Sequence, residues 1–210
     1  MPPLSIRPIV AACVVVQAAC AAGAASSVGR PVAGFVLPDC YGTERSLADY
    51  ADAEALVVVF LGVECPLAKL YGPRLVDLAE DYADRGVAVI GIDANRQDSL
   101  TELAAYAHRY QIGFPLLKDN RAGAADAFGA TRTPEAFVLG PERTIRYQGR
   151  IDDQYEVGVV RDAPQRRFLR EAIDAVLAGG EPVDPITRAV GCVIGRPQQP
   201  SADASVTYTE

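Results

Sequence analysis

Leu56-Val-Val-Val-Phe-Leu61 is the stretch of sequence that decides the fold, and it runs directly into Gly62-Val-Glu-Cys65-Pro66. Six consecutive apolar residues, three of them valines, are typical of a strand buried on both faces of a sheet. Beyond Pro66, leucines, tyrosines and alanines recur every three or four residues as far as Tyr82, the spacing of a helix that covers a sheet. The predicted domain is therefore centred on a strand that leads into a helix at Cys65.

The rest of the chain continues to alternate between strand and helix patterns. The apolar run Val87 to Ile92 predicts another buried strand. Asp98 or Ser99 can cap the helix that follows, which runs through Leu103 to Tyr110. The remaining predicted segments are Phe114 to Leu117 (strand), Arg121 to Phe128 (helix), Ala136 to Leu139 and Thr144 to Gln148 (a hairpin), and Phe168 to Leu177 (helix). The order β-α-β-α-β-α-β-β-α predicts a three-layer α/β domain, with a mixed central sheet flanked by helices.

Composition excludes several classes of function. The chain has 210 residues, 20 Lys plus Arg, 27 Asp plus Glu and a formal net charge of −7. An acidic chain has no basic footprint for phosphates, so we expect no nucleic-acid partner. The single histidine, His108, rules out a His-rich zinc cluster, and no glycine-rich nucleotide motif is present. We expect neither a cofactor nor a metal, and we expect His108 to be a surface charge near a helix end.

The two ends of the chain read differently from its middle. Residues 1–25 combine Arg7 with an apolar, alanine-rich run and A-x-A cleavage sites, which predicts a secretory signal peptide and export to the periplasm or the cell exterior. An uncleaved or lipid anchor is the alternative, but the run is short for a span, and we expect no stable span after cleavage. Residues 26–180 form the predicted domain, 181–196 a C-terminal arm that carries Cys192, and 197–210 a disordered tail.

Cys65 is the candidate for chemistry among the cysteines that remain after cleavage, which are Cys40, Cys65 and Cys192. A thiol at a helix start meets unpaired N–H groups and the positive end of the helix dipole, and both favour the thiolate. Pro66 suits the first helical position. Lys69 adds positive potential one turn on, whereas Glu64 opposes it. The alternative is that Cys65 is a small buried apolar residue.

At these residues the sequence resembles a known superfamily, the redoxins. The resemblance rests on Val36-Leu-Pro-Asp39, on Gly42-Thr-Glu-Arg-Ser46-Leu-Ala-Asp49-Tyr50, on Cys65-Pro66, and on Thr133-Pro134-Glu135. Redoxins are thioredoxin-fold proteins that include the alkyl hydroperoxide reductase/thiol-specific antioxidant family and the exported thiol–disulfide reductases. The resemblance, which covers roughly Val32 to Leu177, implies a thioredoxin-like fold with Cys65 as redox nucleophile. It also implies that Thr133 and Pro134 form a cis-proline loop facing Cys65.

The chain departs from both branches of that superfamily. Disulfide reductases carry Cys-x-x-Cys, but the fourth position here is Ala68, so no local dithiol can form. Peroxiredoxins place Thr or Ser three residues before the nucleophile, where this chain has Gly62. Arg132 lies near the position of a peroxiredoxin arginine that stabilises the thiolate, and its alternative role is that of a surface charge.

A second thiol must then come from elsewhere in the chain. Cys192 lies in a small apolar patch of the arm, and we propose it as the partner of Cys65, acting as a resolving cysteine acts. Cys40, in the turn Asp39-Cys40-Tyr41-Gly42, is the rival. We rank the pairs Cys65–Cys192, Cys40–Cys192 and Cys40–Cys65, in that order.

Two classes of function fit these observations. In the first, the protein is an exported thiol oxidoreductase whose Cys65 attacks a peroxide or a protein disulfide, with an external thiol as reductant. An exposed thiol of low pKa favours this class. In the second, the protein is a non-catalytic thioredoxin-like module for partner binding or metal handling, and Cys65 is inert or permanently paired. The sequence does not set the oligomeric state.

Two further sets of polar residues are interpreted as structural groups. Asp152, Asp153 and Glu156 could attract a hard cation, but such carboxylates are more often a solvated loop. Asp93 and Asn95, after the second buried strand, are expected to be capping or turn groups.

Overall fold

The structure is a computed structural model that describes residues 27–156 and 158–196. The predicted signal peptide, residues 1–25, and the predicted tail, residues 197–210, lie outside the described residues. The strands are β1 (Val36–Pro38), β2 (Glu44–Ser46), β3 (Ala55–Leu61), β4 (Val87–Asp93), β5 (Leu116–Lys118), β6 (Arg132–Thr133), β7 (Glu135–Leu139), β8 (Ile145–Gly149), β9 (Tyr155–Glu156), β10 (Val159–Val160) and β11 (Cys192–Val193). The helices are α1 (Pro66–Ala83), α2 (Leu100–Arg109), α3 (Gly123–Phe128) and α4 (Phe168–Leu177), and Leu47–Tyr50 forms a 3-10 turn.

A five-stranded mixed sheet is the middle layer, in the order β5-β4-β3-β7-β8. The predicted central strand, β3, pairs parallel with β4 and antiparallel with β7, and all seven of its residues are buried. Alternate residues of β3 serve opposite faces, as the two-residue period of a strand requires. Val57 and Val59 pack with α1, α2 and α4, while Val58 and Phe60 pack with α3 and the 3-10 turn. The three-layer mixed α/β arrangement predicted from the sequence is confirmed.

Helix boundaries follow local chemistry. Ser99 caps α2 by accepting from the amide of Glu102, whose carboxylate accepts in return from the amide of Ser99. The α3 helix begins at Gly123, two residues later than expected, because the carboxylate of Asp119 accepts from the amides of Gly123 and Ala125. In α1, Gly72 packs closely against Tyr106 of α2 and against Tyr110, which follows the last residue of that helix. A Cβ at position 72 would lie 3.1 Å from the Tyr106 hydroxyl.

The acidic loop after β8 differs from the prediction. Asp152 and Asp153 are buried rather than solvated, and protein donors occupy both of them. Asp152 accepts from the Tyr71 hydroxyl at 2.5 Å and from Arg74 at 3.0 Å, whereas Asp153 accepts from two backbone amides at 165 and 166. Within the described part of the chain, no group of three His, Cys, Asp or Glu side chains could hold a metal ion. These carboxylates therefore organise the loop.

The arm returns to the domain through short contacts. Its strand β11 pairs antiparallel with β6, so that Cys192 lies opposite Thr133. Farther on, the Ile194 amide donates to Thr131 O at 3.0 Å, and the side chain of Ile194 is buried among the residues around Phe60. No helix in residues 27–156 or 158–196 is long and apolar enough to cross a membrane.

Candidate active site

Cys65 lies where β3 gives way to α1, and it is the residue that caps the helix, with Pro66 in the first turn. Its amide donates to Gly62 O at 3.1 Å, and its carbonyl accepts from the amide of Lys69, also at 3.1 Å. The thiol donates to the carbonyl of Thr133 at 2.9 Å. Cys65 is therefore held on one side by the start of α1 and on the other by the loop of Thr133.

The Thr133–Pro134 peptide bond is cis, in the loop where the resemblance implied it. Glu135, buried just after it, accepts from the amides of Thr131 and Arg132 at 2.8 and 3.1 Å, and from Gln148 at 3.0 Å. One carboxylate thus fixes the backbone that approaches Cys65. Sequence reasoning did not single out this positioning role, although a glutamate at the start of a fully buried strand is a signal of it.

The structure brings Cys65 and Cys192 together. Both are free thiols, and Thr133 links them, since its carbonyl accepts from the Cys65 thiol and it lies opposite Cys192 in the pairing of β6 with β11. Cys40 is placed differently: its amide donates to Leu116 O at 2.8 Å, and burial together with the Asp39 carboxylate raises the pKa of its thiol. Of the three ranked pairs, Cys65–Cys192 is the one whose two members both contact Thr133.

The environment separates the acidities of the two thiols. Burial alone would raise the pKa of Cys65, but the amides of Ala68 and Cys192 and the side chains of Thr133 and Cys192 favour its thiolate, and the pKa lies below its ordinary value. The pKa of Cys192 is raised by burial and by the neighbouring Cys65. Ala68 occupies the place of the second cysteine of a Cys-x-x-Cys motif, and its backbone amide lowers the pKa of Cys65, which occupies the first.

Two expected influences on Cys65 are directed elsewhere. Lys69 and Glu64 pair with each other at 3.6 Å on the surface. The Arg132 guanidinium donates to Gly191 O at 2.9 Å, and its charge lowers the pKa of Cys192 against the effects that raise it. Arg132 therefore contacts the arm, and its expected action on the Cys65 thiolate stays a prediction. His108 is exposed near the end of α2.

Cys65 is less accessible than a reactive thiol was expected to be. Only 4% of it is exposed, whereas Cys192 is exposed. Position 62 also has no room for a side chain. A Cβ there would lie 2.5 Å from the side-chain nitrogen of Asn95 and 3.3 Å from the Thr133 hydroxyl. A threonine at position 62, as in peroxiredoxins, would need Asn95 to move.

A buried polar cluster lies behind the loop that carries Cys65, formed by Asp93, Asn95, Asp98 and Lys118. Asp98 accepts from the Val63 amide and from the Asn95 side chain, both at 3.1 Å. Asn95 in turn accepts from the Gly195 amide at 2.9 Å, which ties the cluster to the arm. Asp93 does accept from the Asn95 amide, as a turn group would, but it also pairs with Lys118 at 2.8 Å. The prediction of a turn group was therefore incomplete.

Comparison with known proteins identifies a family and several relatives of this chain. Residues 28–148 match the AhpC/TSA family. Thiol-disulfide oxidoreductase ResA of Halalkalibacterium halodurans is 25% identical over 117 residues, which are 56% of this chain and 65% of that protein. The chain thus spans just under two thirds of that relative.

Solved structures show the same fold. A hypothetical protein from Sinorhizobium meliloti 1021 superposes with a TM-score of 0.77 at 35% identity, covering 83% of this chain and 97% of the other. Peroxidoxin BcpB from Mycobacterium tuberculosis superposes with a TM-score of 0.55 at 22% identity, covering 73% and 96%. The fold is thioredoxin-like, as the resemblance implied.

Proposed function

The chain belongs to the AhpC/TSA family, and on that basis we propose that it is an exported thiol-dependent oxidoreductase with Cys65 as nucleophile and Cys192 as resolving thiol. One observation carries the proposal: Thr133 accepts from the Cys65 thiol and lies opposite Cys192, while the pKa of Cys65 is lowered and that of Cys192 is raised. Two titratable groups whose pKa values are driven apart are suited to different roles. Cys65 attacks as the thiolate, and Cys192 remains a thiol until its turn.

The proposed cycle has three steps. The Cys65 thiolate attacks one oxygen of a peroxide, the other oxygen leaves as alcohol or water after taking a proton, and Cys65 becomes a sulfenic acid. With a disulfide substrate, it attacks one sulfur, expels the other as thiolate and forms a mixed disulfide. Cys192 then attacks Cys65, releasing water or the substrate's second thiol and closing a Cys65–Cys192 disulfide. Two external thiol groups then reopen it by exchange, supplying the two electrons and leaving as a disulfide.

Arg132 and the loop of Thr133 and Pro134 act on this cycle through position. Arg132 holds the arm by its bond to Gly191 O and eases ionisation of Cys192 when that thiol attacks. Thr133 pairs with Cys192 and accepts from Cys65, so one residue sets the approach of both sulfurs. A disulfide needs the two Cα atoms within about 7 Å, which this three-way contact favours.

Mass spectrometry of the oxidised thiols tests the proposal. Fully reduced protein is treated either with one equivalent of hydrogen peroxide or with a model protein disulfide, and sulfenic acid, mixed disulfides and intramolecular links are mapped. We expect oxidation first at Cys65 and then a Cys65–Cys192 link, whereas Cys65→Ser shows neither. Cys40→Ser, which removes the other buried thiol, is expected to behave as the unchanged protein does.

Each arm of that experiment has a distinct meaning. Reaction with peroxide alone indicates a peroxidase, and capture of the protein disulfide alone indicates a disulfide exchanger. A Cys65 that reacts with neither reagent would contradict an enzymatic role and favour the alternative function, a non-catalytic binding module. A link that involves Cys40 instead of Cys192 would refute the assignment of the resolving thiol.

Export rests on the sequence of residues 1–25. If these residues are a cleaved signal peptide, the mature protein loses Cys13 and Cys20 and keeps three thiols. We expect the intact mass of protein recovered after expression with its own leader to correspond to cleavage near Ala25. Recovery of the full-length chain would favour an anchor or retention.

A further inference from the structure

We propose that the side-chain hydroxyl of Thr133 donates a hydrogen bond to the Cys65 thiolate, which makes Thr133 a catalytic residue through its side chain as well as a backbone contact. The inference deepens the proposed function and rests on it for the role of Cys65. It starts from an unsatisfied group. Thr133 is 1% exposed, and within the described part of the chain its hydroxyl oxygen has no hydrogen-bond partner.

An unpartnered buried hydroxyl requires a physical reason, because leaving such a group without a hydrogen bond destabilises the fold. The reason lies in the protonation state of Cys65. As a thiol, Cys65 donates its hydrogen to the carbonyl of Thr133 at 2.9 Å. As a thiolate it has no hydrogen to donate and needs donors instead. A hydroxyl has one hydrogen to donate, and the Thr133 hydroxyl, which no other group among the described residues occupies, is available as a donor to the sulfur once the proton has left.

Gly62 shows which way the hydroxyl is directed. A Cβ at position 62 would lie 3.3 Å from the hydroxyl oxygen of Thr133, so this oxygen faces the loop that runs from Gly62 to Cys65. The Gly62 carbonyl is itself taken by the Cys65 amide. Residue 62 has no side chain to offer the sulfur, and the hydroxyl enters the same space from the opposite loop. In agreement, the Thr133 side chain is among the groups that lower the pKa of Cys65.

Thr133→Val removes the hydroxyl but keeps the branched shape and the carbonyl. We expect the pKa of Cys65 to rise by about one unit, which is about a tenfold loss of thiolate at a pH below both values. The measurement is the pH dependence of thiolate absorbance, taken as the difference from a Cys65→Ser blank in the same background. Iodoacetamide labelling at each pH, mapped to Cys65 by mass spectrometry, provides a second readout.

Two variants serve as controls. Thr133→Ser keeps a hydroxyl and is expected to restore the original titration. Thr101→Val makes the same chemical change at an exposed threonine in the first turn of α2, outside the candidate active site, and is expected to leave the titration of Cys65 unchanged.

A folded Thr133→Val protein with the original Cys65 titration would overturn the inference. If the valine variant does not fold, the comparison of Thr133→Ser with Thr133→Ala decides in the same way. Neither readout needs a peroxide or disulfide substrate. A protein that failed as an oxidoreductase but showed the shift would therefore refute the proposed function while leaving the hydrogen bond in place.

Discussion

Replacing Lys118 by methionine is expected to lower the free energy of unfolding by about 3 kcal/mol or more at pH 8. Lys118 and Asp93 are paired at 2.8 Å, and neither side chain is more than 1% exposed. The ammonium also donates to Asn95 O at 2.5 Å. Methionine leaves the Asp93 carboxylate buried without a counter-charge, which costs far more than losing a surface ion pair.

The loss should depend on pH. Burial, and the nearby Asp98 carboxylate, raise the pKa of Asp93 from 3.8 to about 7, against the lowering effect of Lys118. A folded-state pKa above the unfolded one means that protonated Asp93 favours folding, and this contribution is lost as the pH rises through about 7. Because removing Lys118 raises this pKa further, Lys118→Met should cost less at pH 5 than at pH 8.

Urea unfolding at pH 5 and pH 8 measures both effects. The double variant Asp93→Asn/Lys118→Met, which carries no charge in the pair, is expected to recover much of the loss at pH 8. Lys69→Met breaks an exposed pair with Glu64 and should change stability by less than about 1 kcal/mol. Equal costs at the two pH values would show that Asp93 does not titrate as described.

A second large effect is expected from Gly191→Ala, on the rate at which the Cys65–Cys192 disulfide closes. Gly191 has φ +153°, and a Cβ there would lie 2.0 Å from the backbone oxygen of Thr133. The Thr133 oxygen belongs to the backbone and cannot turn aside as a flexible side chain would, so the arm itself must move away from β6. A displacement of about 1 Å can slow a positioned reaction by about 100-fold, and we expect a loss of that order.

Quenched time courses measure this rate. After addition of peroxide, free thiols are alkylated at intervals and the Cys65–Cys192 link is quantified. The first oxidation at Cys65 should still occur in Gly191→Ala, because the Ala68 amide and the Thr133 side chain still favour the thiolate, while the link forms slowly. Gly180→Ala, whose Cβ would lie an ordinary 3.5 Å from the nearest atom, is the matched control. A Gly191→Ala protein that closes the link at the original rate would refute the docked arm as the resolving geometry.

The elements that could be predicted from the sequence are those that obey a local rule. Residues 56–61 are apolar throughout because both faces of β3 are covered, and α4 has the predicted bounds Phe168 and Leu177 because its apolar spacing ends at a glycine pair. Strands β6 and β11 could not be predicted in this way. Each is two residues long, too short for a period, and their pairing depends on a chain that returns from far along the sequence.

The candidate site divides along the same line. Cys65 could be recognised because strand, cysteine, proline and helix are consecutive. The buried cluster could not be recognised, since the sequence around Lys118 and Asp93 has no distinctive pattern. The two residues come together only because β4 pairs parallel with β5. The unpartnered hydroxyl of Thr133 is likewise visible only after folding, because its environment is set by Gly62 and by the arm.

The docking of β11 on β6 also has a thermodynamic consequence for the oxidised protein. A Cys65–Cys192 bond would enclose most of the domain in one covalent loop, and a loop of roughly 100 residues or more lowers the entropy of the unfolded chain enough to stabilise the fold by about 5 kcal/mol. By the same thermodynamic cycle, folding favours the disulfide over the dithiol by an equal amount. For a two-electron couple, this makes the bond harder to reduce by about 100 mV than in the unfolded chain. Resistance to heat would then report the oxidation state of the molecule.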